Sequence, residues 1–496
     1  MNEPGVRDPR HIIAPVTDPA FTINGEQVLG AGSTELSVYN PATGSELAVV
    51  RAASASQVDA SVTSNAAALA VWEALGGEHR GALMHRFAEL IEEHYDRLLA
   101  TIVHEVGTPV SLVENLHLGF PIAQLRWYAD QASRDLSVDL GPTTYGQPRT
   151  STVYQRPVGV VAAISAYNYP LHLGLWKVSA ALAAGCTVTL MPSPRTPLSV
   201  LEIGRLAVAA GIPPGVLNVI AGGPATGQAL TEHRLVNKVS FTGSDQVGEL
   251  ILRQAAAGIK RVTLELGGKS PAIVLPGADM AAAARYLHPR YARNAGQGCA
   301  SPTRLLVHER DLDAFLAASA AVYETLTVGD PWDPATAVGP VIRPEHQAAI
   351  ESKVAGALHR GAKLLLGGGR PGFSAGWWVS PQLLGGVDNS DPIAQDEIFG
   401  PVAVLLPYRD IDEAVVIAND SRFGLSSYIF GEVEQAKALA PRLRTGTVSI
   451  NDATGLRPDA PFGGFGASGI GREGGRWGMD AFLEAQHVQV PLTEEL

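Results

Sequence analysis

Between Val158 and Leu275 the chain alternates short apolar runs with small-residue segments of helical spacing, and this alternation restricts the fold more than any other feature. Val158–Ile164, Thr187–Met191, Val216–Ile220, Lys238–Thr242, Arg261–Leu266 and Ala272–Leu275 each read as strands. The first is continuously apolar, as a strand covered on both faces must be. Trp176–Ala184 and Val200–Ala210 read as helices closed by Gly185 and Gly211, because glycine takes the left-handed conformation that ends a helix. A further helix opens at Asp245, behind Gly243-Ser244. Strand and helix in turn build a parallel, doubly wound sheet, so the fold class is α/β.

The flanks extend this plan. Residues 1–20 read as a polar, Pro-rich arm, Phe21–Glu26 as a strand and turn, Val38–Gly44 as a turn, and Leu47–Val50 as a strand. Val58, Val62, Ala66, Leu69 and Trp72 step by three and four, the spacing of an amphipathic helix. Leu83, Phe87, Leu90, Ile91, Leu98 and Ile102 predict a second, longer helix. Leu116 to Trp127 continues helical, with Pro121 near its first turns. Residues 135–156, punctuated by Gly141-Pro142 and Gly146-Gln-Pro148, read as a β-hairpin excursion. Beyond Asp279, helices at Met280–Ala295 and Asp311–Leu326 alternate with strands at Arg304–His308, Lys363–Leu366, Val402–Pro407 and Thr447–Ile450, which predicts a separate α/β domain. The chain closes with a helix end at Asp480 and a strand at His487–Val490.

A chain of 496 residues has room for about two to four domains. Its formal net charge of -12 argues against nucleic acid or an anionic membrane as partner. Its 2 cysteines offer no disulfide framework, and Cys-His metal spacing is absent, so no metal is expected. There is no basic-then-apolar leader and no apolar run of the ~18 residues that cross a bilayer, so a cytoplasmic location is expected.

One of the two cysteines lies in Asn294-Ala-Gly-Gln-Gly-Cys299-Ala-Ser-Pro-Thr-Arg304. A lone free cysteine usually packs as a small hydrophobe. Here glycines surround it, as in loops where backbone approaches a ligand closely. Upstream, Val262-Thr-Leu-Glu265-Leu-Gly-Gly-Lys-Ser270-Pro271 supplies a carboxylate at the end of an apolar run. A thiol with a separate candidate base is a covalent-catalysis constellation. No G-x-G-x-x-G follows a strand; the nearest phosphate feature is Phe241-Thr-Gly243-Ser244 with Gly248, a strand running into a helix N-terminus.

These stretches occur in a recognisable order. Asn168 in Ala166-Tyr-Asn-Tyr-Pro170, Phe241-Thr-Gly-Ser244, Glu265-Leu-Gly-Gly-Lys-Ser-Pro271 and Gly296-Gln-Gly-Cys299 come first. Glu397-Ile-Phe-Gly-Pro401, then Pro461-Phe-Gly-Gly464 with Ser468-Gly-Ile-Gly-Arg-Glu473, complete the set. The ordered set resembles the NAD(P)-dependent aldehyde dehydrogenase superfamily over nearly the whole chain. The resemblance implies a Rossmann-like cofactor domain over residues 1–134 and 157–266, an α/β catalytic domain over 267–450 and a substrate and anchor loop over 451–479. Residues 135–156 and 480–496 would form a β oligomerisation element that adds a strand to a neighbouring subunit, giving a homodimer or homotetramer.

The resemblance also implies roles. Cys299 would attack an aldehyde carbon as thiolate and give a thiohemiacetal. The Asn168 amide and the Cys299 backbone N–H would hold the oxyanion. Loss of hydride to nicotinamide would leave a thioester, and Glu265 would activate the water that hydrolyses it. A carboxylate in an apolar cleft has its pKa raised, which suits that work. Lys177 would lie near the oxyanion site and cofactor. NAD or NADP would be lined by Ile164, Ser165, Tyr167, Met191, Ser193, Pro194, Arg195, Phe241, Thr242, Gly243, Ser244 and Leu266, with Glu397 and Phe399 on the nicotinamide ribose. Leu173, Trp176, Gly298, Ala300, Leu456 and Phe462 would line the substrate path. They favour an apolar aliphatic or aromatic aldehyde, and no arginine or lysine cluster is read there, which argues against acidic semialdehydes.

One stretch departs from the family pattern. Where Lys-Pro-Ser-Glu is usual, this chain has Met191-Pro192-Ser193-Pro194-Arg195. One or two ribose hydrogen bonds of ~1 kcal/mol each are lost. Repulsion of a 2′-phosphate is lost too, and Arg195 could pair with one, so NADP is expected to be accepted; the alternative is a solvated loop arginine. Two rival functions stand beside oxidation to the acid. A CoA-acylating aldehyde dehydrogenase is disfavoured by the presence of Glu265, and a non-catalytic protein of the same fold by the complete set of catalytic side chains.

Overall fold

The computed structural model describes residues 19–143, 145–453 and 455–492. Most of the expected N-terminal arm and the last residues of the expected oligomerisation element lie outside them. The first sheet runs in the order Glu26–Val28, Phe21–Ile23, Leu217–Val219, Thr187–Met191, Val160–Ile164, Lys238–Thr242, Arg261–Glu265, Gly469–Ile470. Its five central strands are parallel, and antiparallel strands close both edges. Every residue of Val160–Ile164, Thr187–Met191 and Lys238–Thr242 is buried; the first is apolar throughout, as a strand covered on both faces must be, while the other two carry polar side chains such as Thr187, Thr189, Lys238 and Ser240 into the interior.

The winding places a crevice. From Val160–Ile164 the chain moves outward through Thr187–Met191 and Leu217–Val219, then returns to the opposite side of Val160–Ile164 with Lys238–Thr242. At such a reversal the flanking connections leave in opposite directions, and the carboxyl ends of the two middle strands stay open. Ser165 and Gly243 follow those two ends. The helix Pro170–Ala184 is buried along its whole length, which its small residues permit, and Gly185 ends it at φ 92°. It starts earlier than Trp176 because proline is compatible with a first helical turn.

The second sheet has the order Lys363–Gly367, Gln382–Gly385, Val402–Tyr408, Pro302–His308, Ser270–Val274, Ser426–Phe430, Thr447–Ile450 and is parallel except at its first pair. It carries its own apolar core. The strand expected at Ala272–Leu275 belongs here, not with the strands that precede it, so Gly267-Gly268 crosses from one sheet to the other. A third sheet joins Val138–Thr143, Arg149–Pro157 and Leu483–Pro491. The hairpin excursion is therefore present. The final strand begins before His487, because the helix Gly475–Asp480 ends sooner.

Other expectations need correction. The long second helix is two, Gly76–Glu93 and Tyr95–Val106, split at His94, whose φ of −102° and ψ of 16° leave the helical region. Its Nδ1 lies 2.9 Å from the Leu90 carbonyl oxygen, which also accepts from the His94 N–H at 3.2 Å. The apolar face continues across the break, so periodicity alone runs through it. The helix expected to reach Ala295 ends at Ala292, and Asn294 and Ala295 turn left-handed at φ 54° and 55°. Pro344–His359, Ile411–Asn419 and Ser426–Phe430 were absent from the sequence reading. Among the described residues no helix is long and apolar enough to cross a membrane, and no cluster of metal-ligating side chains occurs.

Candidate active site

The left-handed pair Asn294-Ala295 turns the chain out of its helix and into the cysteine loop. Side chains then tie the loop down. Thr108 Oγ1 donates to Asn294 Oδ1 at 2.6 Å, and Asn294 Nδ2 donates to the Asn168 carbonyl at 2.9 Å. Asn168 Nδ2 returns a bond to the Gln297 carbonyl at 2.9 Å. Gln297 Nε2 donates to the Asn294 carbonyl at 3.0 Å, while its Oε1 accepts from the Ile342 N–H at 3.0 Å. Asn168 and the loop of Cys299 thus form one hydrogen-bonded body, and the second Asn168 amide hydrogen is left for another acceptor. On the far side Tyr428 Oη donates to the Ala300 carbonyl at 2.6 Å. A Cβ on Gly268 would stand 2.5 Å from the Cys299 carbonyl oxygen, so the Gly-Gly pair is a packing requirement.

Glu265 ends the strand Arg261–Glu265 and is 3% exposed. Neither carboxylate oxygen has a hydrogen-bond partner among the described residues. Burial pushes its pKa well above the ordinary value, and the charge of Glu473 adds to the rise; Lys177 and Arg472 oppose it. Cys299 shares this environment. Burial first, then the charges of Glu397 and Glu265, push its thiol up to about 12. The resting thiol is therefore protonated at neutral pH, with Glu265 close enough for its charge to be felt.

Lys177 is fully buried. Its Nζ donates to Thr242 Oγ1 at 2.7 Å and to Glu473 Oε1 at 2.5 Å. Ser240 Oγ also donates to Glu473 Oε1, at 3.3 Å, and Glu473 Oε2 has no partner among the described residues. Glu473 ends the Ser468-Gly-Ile-Gly-Arg-Glu473 stretch, and the sequence alone assigns it no role. The signal that could have found it was an acid amid glycines at the end of an otherwise small-residue stretch.

Glu397 faces the same region. Its Oε1 accepts from the Gly268 N–H at 2.9 Å, and a Cβ on Gly267 would stand 2.5 Å from its Oε2. Burial raises its carboxyl to about 7, against the Gly268 N–H. Phe399 takes φ 55°, and its ring meets Tyr167 edge-on at 5.9 Å. Lys269 Nζ is buried without a partner among the described residues, and burial lowers its pKa to about 7.

Around the crevice between the central strands, Ile164 and Phe241 sit side by side in register. Ser165 Oγ and Tyr167 Oη are buried with no partner among the described residues. Ser244 caps the helix Asp245–Ala256 by accepting from the Val247 N–H, and Leu266 packs where a Cβ on Gly248 would fall, at 2.8 Å. Met191 is 5% exposed; its Cε lies 3.2 Å from where Gly227 would carry a Cβ. The Ser193 hydroxyl accepts from the Arg195 N–H, and beyond Pro194 the Arg195 guanidinium lies 5.1 Å over the Tyr167 ring. Its charge reaches both Arg343 and His346.

On the substrate side, Trp176 stacks on His172 at 4.8 Å, tilts against Phe462 at 5.0 Å and meets Phe120 edge-on at 6.0 Å. Leu173 is buried on the same helix, and Leu456 and Gly298 are half-buried. Sequence reasoning missed His117, Phe120, Tyr169 and His172, which extend this aromatic wall; His117 and Tyr169 lie 4.6 Å apart. The Arg290 guanidinium lies 5.9 Å over the Tyr428 ring, the same tyrosine that holds Ala300, and Arg293 stands between them and the cysteine loop in sequence.

A polarised pocket with a thiol, a buried carboxylate and an amide donor can form and hydrolyse a covalent acyl adduct. Comparison with known proteins points the same way. Residues 28–488 match the aldehyde dehydrogenase family. The chain is 39% identical over 421 residues to geranial dehydrogenase of Castellaniella defragrans, covering 84% of this chain and 87% of that protein. It superposes with a TM-score of 0.91 on a cysteine-to-alanine mutant of aldehyde dehydrogenase C from Pseudomonas syringae, solved with NAD+ and octanal; identity is 37%, with 96% of this chain and 98% of that chain covered. An NADP-dependent enzyme of E. coli superposes with a TM-score of 0.92 at 33% identity, covering 96% and 98%.

Proposed function

The chain belongs to the aldehyde dehydrogenase family, and from that premise we propose that Cys299 carries the oxidation of an aldehyde to its carboxylic acid with NAD or NADP. The observation that carries this reading is the buried, unpartnered Glu265 carboxylate, whose charge reaches the half-buried Cys299 thiol.

The Cys299 thiol gives up its proton to solvent, the thiolate so formed adds to the aldehyde carbon, and the carbonyl oxygen becomes an oxyanion. The free Asn168 amide hydrogen and the Cys299 backbone N–H stabilise that charge, at no cost in reorganisation because the loop is already cross-tied. When bound, the nicotinamide cofactor supplies the acceptor for the hydride that leaves the thiohemiacetal carbon, so the adduct becomes a thioester. Glu265 then takes a proton from water as the water adds to the thioester carbon. The carbon–sulfur bond breaks, the acid leaves, and the thiolate is restored. A carboxylate raised by burial binds that proton more strongly than an ordinary one, which strengthens it as a base.

The crevice suits a dinucleotide. Orphaned Ser165 and Tyr167 hydroxyls, Gly243 and Ser244 at a helix N-terminus, and Glu397 with Phe399 would hold it. Arg195, with Arg343 and His346 in reach of its charge, supports acceptance of a 2′-phosphate, hence of NADP as well as NAD. Trp176, Phe462 and Phe120 favour an aldehyde with an apolar aliphatic or aromatic stem. The exposed strand Leu483–Pro491 and the edge strand Thr447–Ile450 support a homodimer or homotetramer, and the cytoplasm is the proposed location.

A panel of aldehydes with each cofactor, followed by absorbance of the reduced nicotinamide and by identification of the acid, tests the reading. Cys299→Ala should abolish turnover. Acyl-CoA formed in the presence of CoA would favour the acylating alternative, and Cys299→Ala with full activity would end the proposal.

A further inference from the structure

The helix Asp245–Ala256 opens at the crevice with a carboxylate, Asp245, in its first turn. Ser244 caps it by accepting from the Val247 N–H, and the Gly243 N–H donates to the Glu265 carbonyl at 3.0 Å, which fixes the backbone just ahead of the helix. An acid at a helix start stabilises the helix, because it complements the positive end of the dipole. The same place is where free N–H groups would meet the pyrophosphate of a dinucleotide. Asp245 thus puts a negative charge beside the spot where a doubly anionic group has to come to rest. Its charge is felt by another acid of the crevice. Burial first, and then Asp245, raise the Glu397 carboxyl, against the Gly268 N–H and the charge of Lys269.

A cation from the other side of the crevice meets this charge. Arg422 lies 177 positions away in sequence, and its guanidinium donates to Asp245 Oδ2. The backbone fixes where Arg422 stands. Its carbonyl accepts from the Ala467 N–H at 2.9 Å, and a Cβ on Gly466 would lie 2.7 Å from that oxygen. The guanidinium also lies 4.3 Å over the Phe423 ring, which limits how far the side chain swings. Among the described residues neither side chain has another ion pair. The Arg422 side chain is 55% exposed and that of Asp245 20%. A pair so open to water contributes little to holding the fold together. Its consequence lies instead in the net charge at the start of the helix, where the more enclosed partner is the acid.

We infer that Arg422 is a positioning residue for the cofactor: by pairing with Asp245 it neutralises the carboxylate at the start of the helix Asp245–Ala256 and lets the pyrophosphate settle on the N–H groups there. This inference rests on the dinucleotide reading above and deepens it by naming what controls affinity at the pyrophosphate. The helix follows the strand Lys238–Thr242 of the first sheet, whereas Arg422 leads into the strand Ser426–Phe430 of the second. Cofactor affinity therefore depends on a charge that one sheet's connections supply to the other's.

The test is a double-mutant cycle on the full chain, with calorimetric titration of NAD and of ADP-ribose at low ionic strength. Arg422→Gln should raise Kd for both ligands by about threefold to tenfold, because the unpaired Asp245 charge then opposes the pyrophosphate. Asp245→Asn should bind both at least as tightly as wild type, and adding it to Arg422→Gln should restore wild-type affinity. Salt at about 0.5 M should shrink the Arg422→Gln effect, as screening of a partly exposed charge requires. Because the rescue is read in a protein that still lacks Arg422, a folding defect does not produce it. A purely mechanical tie between the two sheets gives a different sign: either single variant breaks the same bond and weakens binding equally, and the double variant is no better than Arg422→Gln. That pattern, or a Kd of Arg422→Gln equal to wild type, overturns the inference while leaving the dinucleotide reading intact. Failure of the wild-type protein to bind either NAD or NADP sinks that reading, and this inference with it.

Discussion

Lys177 Nζ donates to Glu473 Oε1 at 2.5 Å with both side chains almost wholly buried, and this ion pair borders the unpartnered carboxylate of Glu265. The pair is neutral overall, but its two charges act on Glu265 in opposite senses. Glu473 raises the Glu265 pKa and Lys177 lowers it.

Replacing Glu473 with glutamine should therefore lower the Glu265 pKa, because the raising charge disappears and the lowering one remains. The acid limb of the kcat profile for thioester hydrolysis should move to lower pH by on the order of one unit. Loss of the buried partner of Lys177 should also cost about 3–5 kcal/mol of stability, visible as a fall in Tm. A pH profile identical to wild type would separate Glu473 from the base.

Glu265→Gln keeps the shape of the side chain and removes its basicity. Acylation should survive while hydrolysis slows by about 10²–10⁴-fold. Rapid mixing would then show a single burst of reduced nicotinamide, equal to the enzyme present, followed by a slow steady rate. Equal slowing of burst and steady state would place Glu265 in the first half-reaction.

Gly463 sets the room around that carboxylate. It takes φ 152°, and a Cβ there would lie 2.6 Å from Glu265 Oε1. Gly463→Ala should displace Glu265 and reduce kcat by about tenfold to a hundredfold, in line with the sensitivity of reacting groups to small misplacements. Cofactor binding, measured by quenching of protein fluorescence, should change little.

Arg195 is the residue on which use of NADP depends in this reading. Arg195→Ala should raise KM for NADP by about tenfold, while KM for NAD moves much less. A parallel change in both would assign Arg195 to packing against Tyr167 alone.

Glu105 gives a prediction about stability. Its carboxylate accepts from the Leu198 and Ser199 N–H groups at 2.8 and 3.1 Å and so caps the helix Leu198–Ala209 from a distant segment. Burial nonetheless raises its pKa to about 7 from 4.5, against the Ser199 and Leu198 hydrogen bonds. The folded protein thus holds this proton more tightly than the unfolded chain does. Its stabilising contribution is complete below pH 4.5 and is lost as pH rises through about 7. Denaturant unfolding of Glu105→Gln should show a flatter stability profile across that window, with a difference of about 3 kcal/mol between its ends relative to wild type.

Much of this protein was legible locally. The unbroken apolar run Val160–Ile164 reads as a strand covered on both faces, and it is one. Gly185 could only end a helix, and the ordered motifs around Asn168, Glu265 and Cys299 pointed to one kind of chemistry. Where local spacing misled, the cause was also local: the apolar face runs unbroken across His94, so two helices read as one.

The linear order of residues determined the α/β alternation, the glycine-lined cysteine loop and the identity of the groups able to react, since each depends on neighbours within a few positions. The tertiary structure alone decided which of those groups meet. Lys177 and Glu473 are 296 positions apart, and Asn168 and Gln297 are 129 apart. Whether Glu265 is a weak acid or an ordinary one depends on removal from water by segments from across the chain, and desolvation is a property of the folded surroundings, not of the residue.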